Sequence, residues 1–329
     1  MRASWYESQG AARDVFVVGT MPDPRPGQGE VRIAIQRSGI NPGDLKKRSD
    51  AFGVGMPYPR VIPHSDGAGV VDIVGDGVSP DLVGARAWCF GAQSYRSFGT
   101  AAEFCVVPRS NIALLPDAVS FDQGASLGIP GITAHRAVHV AGDVKDRTVL
   151  VQGGAGAVGL AAVAVARSAG ARVFATVRNA ADASVARDAG AHDVVRTDGA
   201  TADTIVDQLL ALAPDGVDHV VEVAFGANVA VDERVLSVGG SIAAYATNDS
   251  QPVIPFWPLV FRNARLYFIG SDDFPPEAKR RAAVELTGML ADGWRGFPIA
   301  RVLPLSEIAA AHELVESGTV RGRVLLSIP

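Results

Sequence analysis

Val149-Leu150-Val151-Gln152-Gly153-Gly154-Ala155-Gly156-Ala157-Val158-Gly159-Leu160 runs from a β-branched apolar segment through glycines at G-x-x-G-x-x-G spacing into small, helix-forming residues. A strand entering such a turn and leaving as a helix brings main-chain N–H groups to face an anion. Gly153 permits the tight turn, Gly156 lets backbone approach a pyrophosphate, and Gly159 lets the helix pack on the strand. Glycines also serve strand-to-helix turns that bind nothing. Here the strand before and the helix after favour a dinucleotide site formed by Gly153, Ala155, Gly156, Ala157, Val158 and Gly159.

The texture on either side agrees with that reading. Downstream, strand-like Thr148–Gln152, Arg172–Val177, Val194–Val195, His219–Val223 and Ser241–Tyr245 alternate with helical Gly159–Ala169, Ala183–Ala189 and Thr204–Ala213. Apolar strands separated by helices imply a parallel sheet with crossovers. Upstream, from Val15 to about Val107, short apolar runs (Val31–Ile35, Gly69–Ile73, Arg86–Phe90, Glu103–Val107) lie among Gly and Pro, as in an all-β unit. Ser120, an N-cap candidate before Phe121-Asp122-Gln123, marks a boundary near residue 120. The tail from about Asp273 carries two amphipathic helices and a closing strand, Arg323–Ile328.

Length and composition narrow the function classes. A chain of 329 residues exceeds one ordinary core and suits two domains. Hydrophobic residues at 48% and charged residues at 20% predict a globular protein throughout. Arg2, Glu7, Arg13 and Asp14 interrupt any signal core, and no segment has the run of about 20 apolar residues a spanning helix needs. A cytoplasmic location without membrane partners is expected. Two cysteines, Cys89 and Cys105, read as buried thiols in a reducing compartment. A net charge of −5 argues against a nucleic-acid partner.

Coenzyme choice is read at the end of the second strand, Val173-Phe174-Ala175-Thr176-Val177-Arg178-Asn179. An NAD enzyme usually presents Asp or Glu to the ribose there. None is present, and beyond Thr176 the cation of Arg178 suits a 2′-phosphate, which points to NADPH. A solvated Arg at a strand end is the alternative.

These residues, with Ser38-Gly39-Ile40-Asn41-Pro42, Ser65-Asp66-Gly67-Ala68-Gly69, Gly128-Ile129-Pro130-Gly131-Ile132-Thr133-Ala134, Ala310-Ala311-His312-Glu313 and Arg321-Gly322-Arg323-Val324-Leu325-Leu326, resemble the zeta-crystallin-like quinone oxidoreductases of the medium-chain dehydrogenase/reductase superfamily. The resemblance spans essentially the whole chain. It implies an α/β protein: a GroES-like β-rich catalytic domain of residues 1–120 completed by 271–329, a Rossmann doubly wound parallel-sheet domain at 121–270, and commonly a homodimer. It places Asn41 and Thr133 beside the nicotinamide as catalytic candidates. It also sets Ala244, Tyr245, Ala246, Phe268, Ile269, Gly270 and Arg323 with the coenzyme, and Phe52, Tyr58, Ser65 and Trp257 along the substrate. Locally, Asn41 also reads as a turn residue before Pro42 and Thr133 as a helix-start residue. Loops 49–61 and 251–261, the latter with Phe256, Trp257 and Phe261, are expected to form the pocket.

The catalytic zinc of many superfamily members would need a Cys near Asn41 and a His where Ser65 stands. His64 is one residue out of register, and the two cysteines cannot supply a four-cysteine structural site. A zinc-free site is therefore expected, which disfavours simple alcohol oxidation. Quinones and related conjugated carbonyls need only alignment and a few donors. An NADPH-dependent alkene or 2-enoyl thioester reductase is the alternative, weakened because Phe52 replaces the Tyr proposed to protonate substrate in similar enzymes. Tyr58 or Tyr245 are candidate substitutes. Relatives also often carry Tyr near Thr197 and a basic residue near Gly318, so Arg178 bears more of the NADPH preference. A non-catalytic NADPH-binding protein is the reading from another class.

Overall fold

In the computed structural model, which describes residues 1–329, the chain divides into two units: Met1–Pro130 with Pro275–Pro329, and Gly131–Phe274. The division falls within a helix that begins at Phe121, where Ser120 Oγ accepts the Gln123 N–H at 3.3 Å as the capping pattern anticipates.

The first unit contains β1 (Arg2–Trp5), α1 (Ala12–Val15), β2 (Val17–Thr20), β3 (Glu30–Gly39), α2 (Pro42–Arg48), β4 (Asp66–Val74), β5 (Arg86–Cys89), β6 (Phe104–Pro108), β7 (Ile112–Leu114) and the start of α3 (Phe121–His139). The four apolar runs of the sequence lie within or across β3, β4, β5 and β6. β3 is long because three strands use it: β4 on one edge, and β6 and the closing tail strand on the other. Register shifts against β4 at Arg32/Ile33 and Ile35/Arg37 mark irregularities of the bulge type, which add local twist to the strand.

The second unit contains β8 (Thr148–Val151), α4 (Ala157–Ser168), β9 (Arg172–Val177), α5 (Ala180–Asp188), β10 (Asp193–Arg196), α6 (Ala202–Leu212), β11 (Val217–Glu222), α7 (Phe225–Val235), β12 (Leu236–Ala244), α8 (Phe256–Phe261) and β13 (Arg265–Phe268). Its six strands are all parallel, in the order β10-β9-β8-β11-β12-β13. The chain winds outward from β8 to one edge, returns to β11, and winds to the other. The strand order reverses between β8 and β11, where open α/β sheets leave a crevice beyond the carboxyl ends of the strands. Leu150, Phe174, Val220 and Ile242 supply the buried core. α4 is buried from Gly159 through Ala166, a run of small and medium side chains that packs closely on the sheet.

The tail adds α9 (Pro276–Ala291), β14 (Ile299–Pro304), α10 (Ile308–Glu316) and β15 (Arg323–Ser327) to the first unit. β15 pairs antiparallel with β3, setting Leu325 opposite Gly39, and the sheet runs β14-β15-β3-β4-β5-β7 with β6 also on β3. Both chain ends therefore build one core, with Ile33, Val71 and Val107 packed among Leu305, Ile308 and Leu326. The β1–β2 hairpin, α7 and β13 go beyond the elements read from sequence. α7 buries a carboxyl, Asp232, on its inner face, which breaks the apolar periodicity a reader looks for.

Candidate functional site

The phosphate-binding candidate is built almost wholly of backbone. Gly153 has φ +69°, a conformation that side chains resist, so the chain turns sharply at the end of β8. A Cβ on Gly159 would meet the Gly153 carbonyl at 2.2 Å, so only glycine lets the helix cross the turn this closely. Gly156 is exposed, while Ala155, Ala157 and Val158 are half-buried around it. It stands as N-cap of α4 with no side chain capping the helix. The first-turn N–H groups have no intrahelical acceptor, and with the helix dipole they favour an anion.

β9 borders the same turn, and β12 lies on the other side of β8, beyond β11. The Gly154 N–H donates to the Thr176 carbonyl at 2.9 Å and the Gly153 N–H to Thr176 Oγ1 at 3.2 Å. Arg178, just beyond β9, is exposed. Ala244 ends β12 and is followed by Tyr245 and Ala246, which are half-buried; the Tyr245 N–H donates to the Glu222 carbonyl at 3.1 Å. Ile269 N–H donates to the Ala244 carbonyl at 3.0 Å, so the Phe268-Ile269-Gly270 segment lies against that strand end. Phe268 itself is largely exposed and meets Phe225 edge to face at 5.2 Å. The structure thus gathers every coenzyme candidate of the second unit at the carboxyl ends of its strands.

Arg323 belongs to the first unit, at the start of β15. There it is buried with Asn41, Asp44 and Asp66. Asn41, the N-cap of α2, donates its side-chain amide to Asp66 Oδ2 at 2.7 Å, and its backbone N–H to Asp44 Oδ2 at 2.8 Å. Asp66 also accepts the Ile129 N–H at 2.9 Å, and Arg323 Nη2 stands 3.9 Å from its Oδ2. Arg323 Nε and Nη2 have no hydrogen-bond partner although both are buried. Burial, then the charge of Asp66, pushes the Asp44 carboxyl up to about 7. Thr133, the other catalytic candidate, is buried on α3 in the second unit.

This donor set does not suit zinc. Asn41 stands where a thiolate is needed and its amide is committed to Asp66. Ser65 is buried, and its carbonyl accepts the Ala92 N–H at 3.0 Å. His64 spends Nδ1 on Ser38 Oγ at 2.8 Å and Nε2 on His312 Nε2 at 2.9 Å. Burial pushes Cys89 and Cys105 up, Cys105 to about 12, so neither offers a thiolate.

The remaining substrate candidates are more open. Phe52 is 55% exposed with Lys46 Nζ 5.9 Å from its ring centre. Tyr58 donates its phenol proton to the Tyr95 carbonyl at 2.6 Å. Trp257, on α8, is 64% exposed and stacks on Phe261 at 6.0 Å. Sequence reading passed over Asp66 as a site residue, and over Gln152, Glu222 and Asp232. The available signals were an acid two residues after His64 and two polar residues closing the apolar strands β8 and β11.

Comparison with known proteins agrees with this architecture. Residues 27–117 match the alcohol dehydrogenase GroES-like domain and residues 157–283 the zinc-binding dehydrogenase family, although the donor set here does not suit that metal. A quinone oxidoreductase of Rattus norvegicus is 31% identical over 308 residues, covering 92% of this chain and 90% of the relative. A mycobacterial quinone oxidoreductase structure is 29% identical with a TM-score of 0.86, covering 99% of each chain. A mycobacterial structure complexed with NADPH is 28% identical with a TM-score of 0.84, covering 99% of this chain and 100% of the other. With identity at this level sustained across both units, the chain is an oxidoreductase that belongs to the quinone oxidoreductase family of the medium-chain dehydrogenase/reductase superfamily.

Proposed function

We propose that the protein is a cytoplasmic, zinc-independent reductase that uses NADPH to reduce quinones or related conjugated carbonyls. The observation that carries this reading is the uncapped N-terminus of α4 behind the Gly153 turn, a cradle for a diphosphate. The exposed guanidinium of Arg178, with no acid at the end of β9, supports NADPH over NADH. Bound there, NADPH supplies the hydride. The relatives' names support a quinone acceptor, and the Asn41, His64 and Ser65 set, which does not suit zinc, favours a substrate that is electrophilic without a Lewis acid.

Alkene reduction needs a proton donor near the acceptor, and the two candidate phenols are poor ones. Tyr58 has committed its proton to Tyr95, and burial with the Glu222 charge pushes the Tyr245 phenol far up. For quinones, Asn41 is held in place by Asp66, and its second amide hydrogen is the donor offered to a developing oxyanion. We also propose a homodimer, formed on the outer side of the edge strand β13 beside exposed Phe256, Trp257 and Phe261. Two free, buried thiols suit the reducing cytoplasm, and no helix is long and apolar enough to cross a membrane.

The test is steady-state oxidation of NADPH and NADH side by side, with 1,4-benzoquinone, 9,10-phenanthrenequinone and a crotonyl thioester as acceptors. NADPH with a quinone should turn over fastest and ignore chelators. Preference for the thioester, or loss of activity to a chelator with recovery on adding zinc, overturns the proposal.

A further inference from the structure

Beneath the phosphate turn, four buried polar side chains form a directional chain across the point where the strand order reverses. Thr176 on β9 accepts the Gly153 N–H and gives its own proton to Gln152 Oε1. Gln152, the residue after β8, donates through Nε2 to Asp232 Oδ1 on α7 at 2.7 Å. Asp232 is next to Glu222, at the end of β11. Glu222 accepts the Ala224 N–H and, from Asn228 Nδ2, bonds at 3.0 and 3.2 Å. All four side chains are buried.

The chain determines where its protons sit. Two adjacent buried carboxyls cannot both ionise. Glu222 is surrounded by donors and is the carboxylate. Asp232 Oδ2 finds no donor, so a carboxylate there would be a buried, unsatisfied oxygen, whereas a carboxylic acid donates from it to Glu222. Gln152, with its amide ends fixed by Asp232 and Thr176, then keeps the Thr176 lone pair turned to Gly153.

We infer that Asp232 is a positioning residue for coenzyme binding: as a protonated acid it ties the Gly153 turn, through Gln152 and Thr176, to Glu222 and the 223–224 connection on the other side of the crevice. This rests on the NADPH reading above. Burial, and then the Glu222 charge, raise Asp232. The groups facing the pair are Glu222 on β11 and neutral Gln152, with the Tyr245 phenol feeling Glu222 from beyond β12. The neighbouring charges of α7 itself are paired elsewhere, Glu233 with Arg262 and Arg234 with Asp203. Loss of the shared proton at alkaline pH would set two carboxylates against each other and loosen the turn.

The test compares wild type, Asp232→Asn and Asp232→Ala. The Asn amide donates to Glu222 and its oxygen accepts from Gln152, so it replaces the acid without titrating. We expect Asp232→Ala to raise the NADPH Kd and KM about tenfold or more, with kcat at saturating NADPH within about twofold of wild type. Asp232→Asn should keep wild-type affinity at neutral pH and lack the alkaline weakening of wild type. In coenzyme-free protein, amide hydrogen exchange across residues 150–158 should quicken in Asp232→Ala and not in Asp232→Asn. Unchanged Kd and exchange in Asp232→Ala, or an alkaline fall in Asp232→Asn equal to that of wild type, overturns the inference. If the Ala variant does not fold, the pH comparison of Asn with wild type decides. If wild type itself binds no NADPH, the functional proposal falls, and the exchange comparison still judges the relay alone.

Discussion

The glycine turn of the second unit and the Asn41–Asp66 cluster of the first are built on opposite principles. The turn is backbone: its anion site follows from a φ of +69° at Gly153, a missing side chain at Gly159 and an uncapped helix. The cluster is side chain: Asp66 holds an amide from α2, an N–H from α3 and the charge of an Arg on the last strand. A backbone site is sensitive to added atoms and, among side chains, to the few that brace it, here Thr176 and Gln152. A side-chain site fails when one shared partner is removed. Substitutions should separate the two accordingly.

The largest expected effect is Asp66→Ala. It strands the buried Arg323 charge and frees the Asn41 amide, so we expect a loss of about 3–5 kcal/mol, read by urea denaturation. Gly156→Asp should do the reverse, sparing stability while destroying binding. Gly156 is exposed, and a Cβ there meets only the Gly153 carbonyl at 3.4 Å, so the melting temperature should hold. Its carboxylate would face the diphosphate and raise the NADPH Kd on the order of 100-fold. Arg178→Ala, a side-chain contribution at the rim of the backbone site, should narrow the preference for NADPH over NADH by about tenfold with no change in melting.

How much of each region could be read in advance follows from the same contrast. The turn occupies a dozen consecutive residues, and its glycines, strand and helix are all local signals. The Ser120 cap and the alternating strands of the second unit were legible for that reason. Asp66 was visible only as part of a motif, because the partners that give it meaning, Ile129 and Arg323, are distant in sequence. Asp232 was hidden twice over: it interrupts the periodicity of α7, and its partners Gln152 and Glu222 come from two other elements. The sequence places His64 one residue out of register for a zinc ligand, but its actual partner, His312, lies 248 residues away and carries no local signal.

That histidine pair gives the smallest effect and the one that depends on pH. Burial holds His64 down to about 3 and His312 well below the ordinary histidine range. Unfolding lets both rings take up protons once pH falls below about 6.5. The stability carried by the neutral pair is thus complete above about 6.5 and is lost progressively as pH drops toward 3. His312→Gln keeps a hydrogen-bonding group for His64 but cannot be protonated. At pH 7.5 it should cost about 1 kcal/mol, and the gap to wild type should close by pH 4.5 in paired denaturation curves.

Main-chain amides at the start of α4 are the proposed grip on the diphosphate of NADPH. Calorimetric titration of the purified protein with NADPH and with NADH addresses it directly. Saturable binding of one nucleotide per chain, tighter for NADPH, is the expected result. Absence of binding by either nucleotide would contradict it.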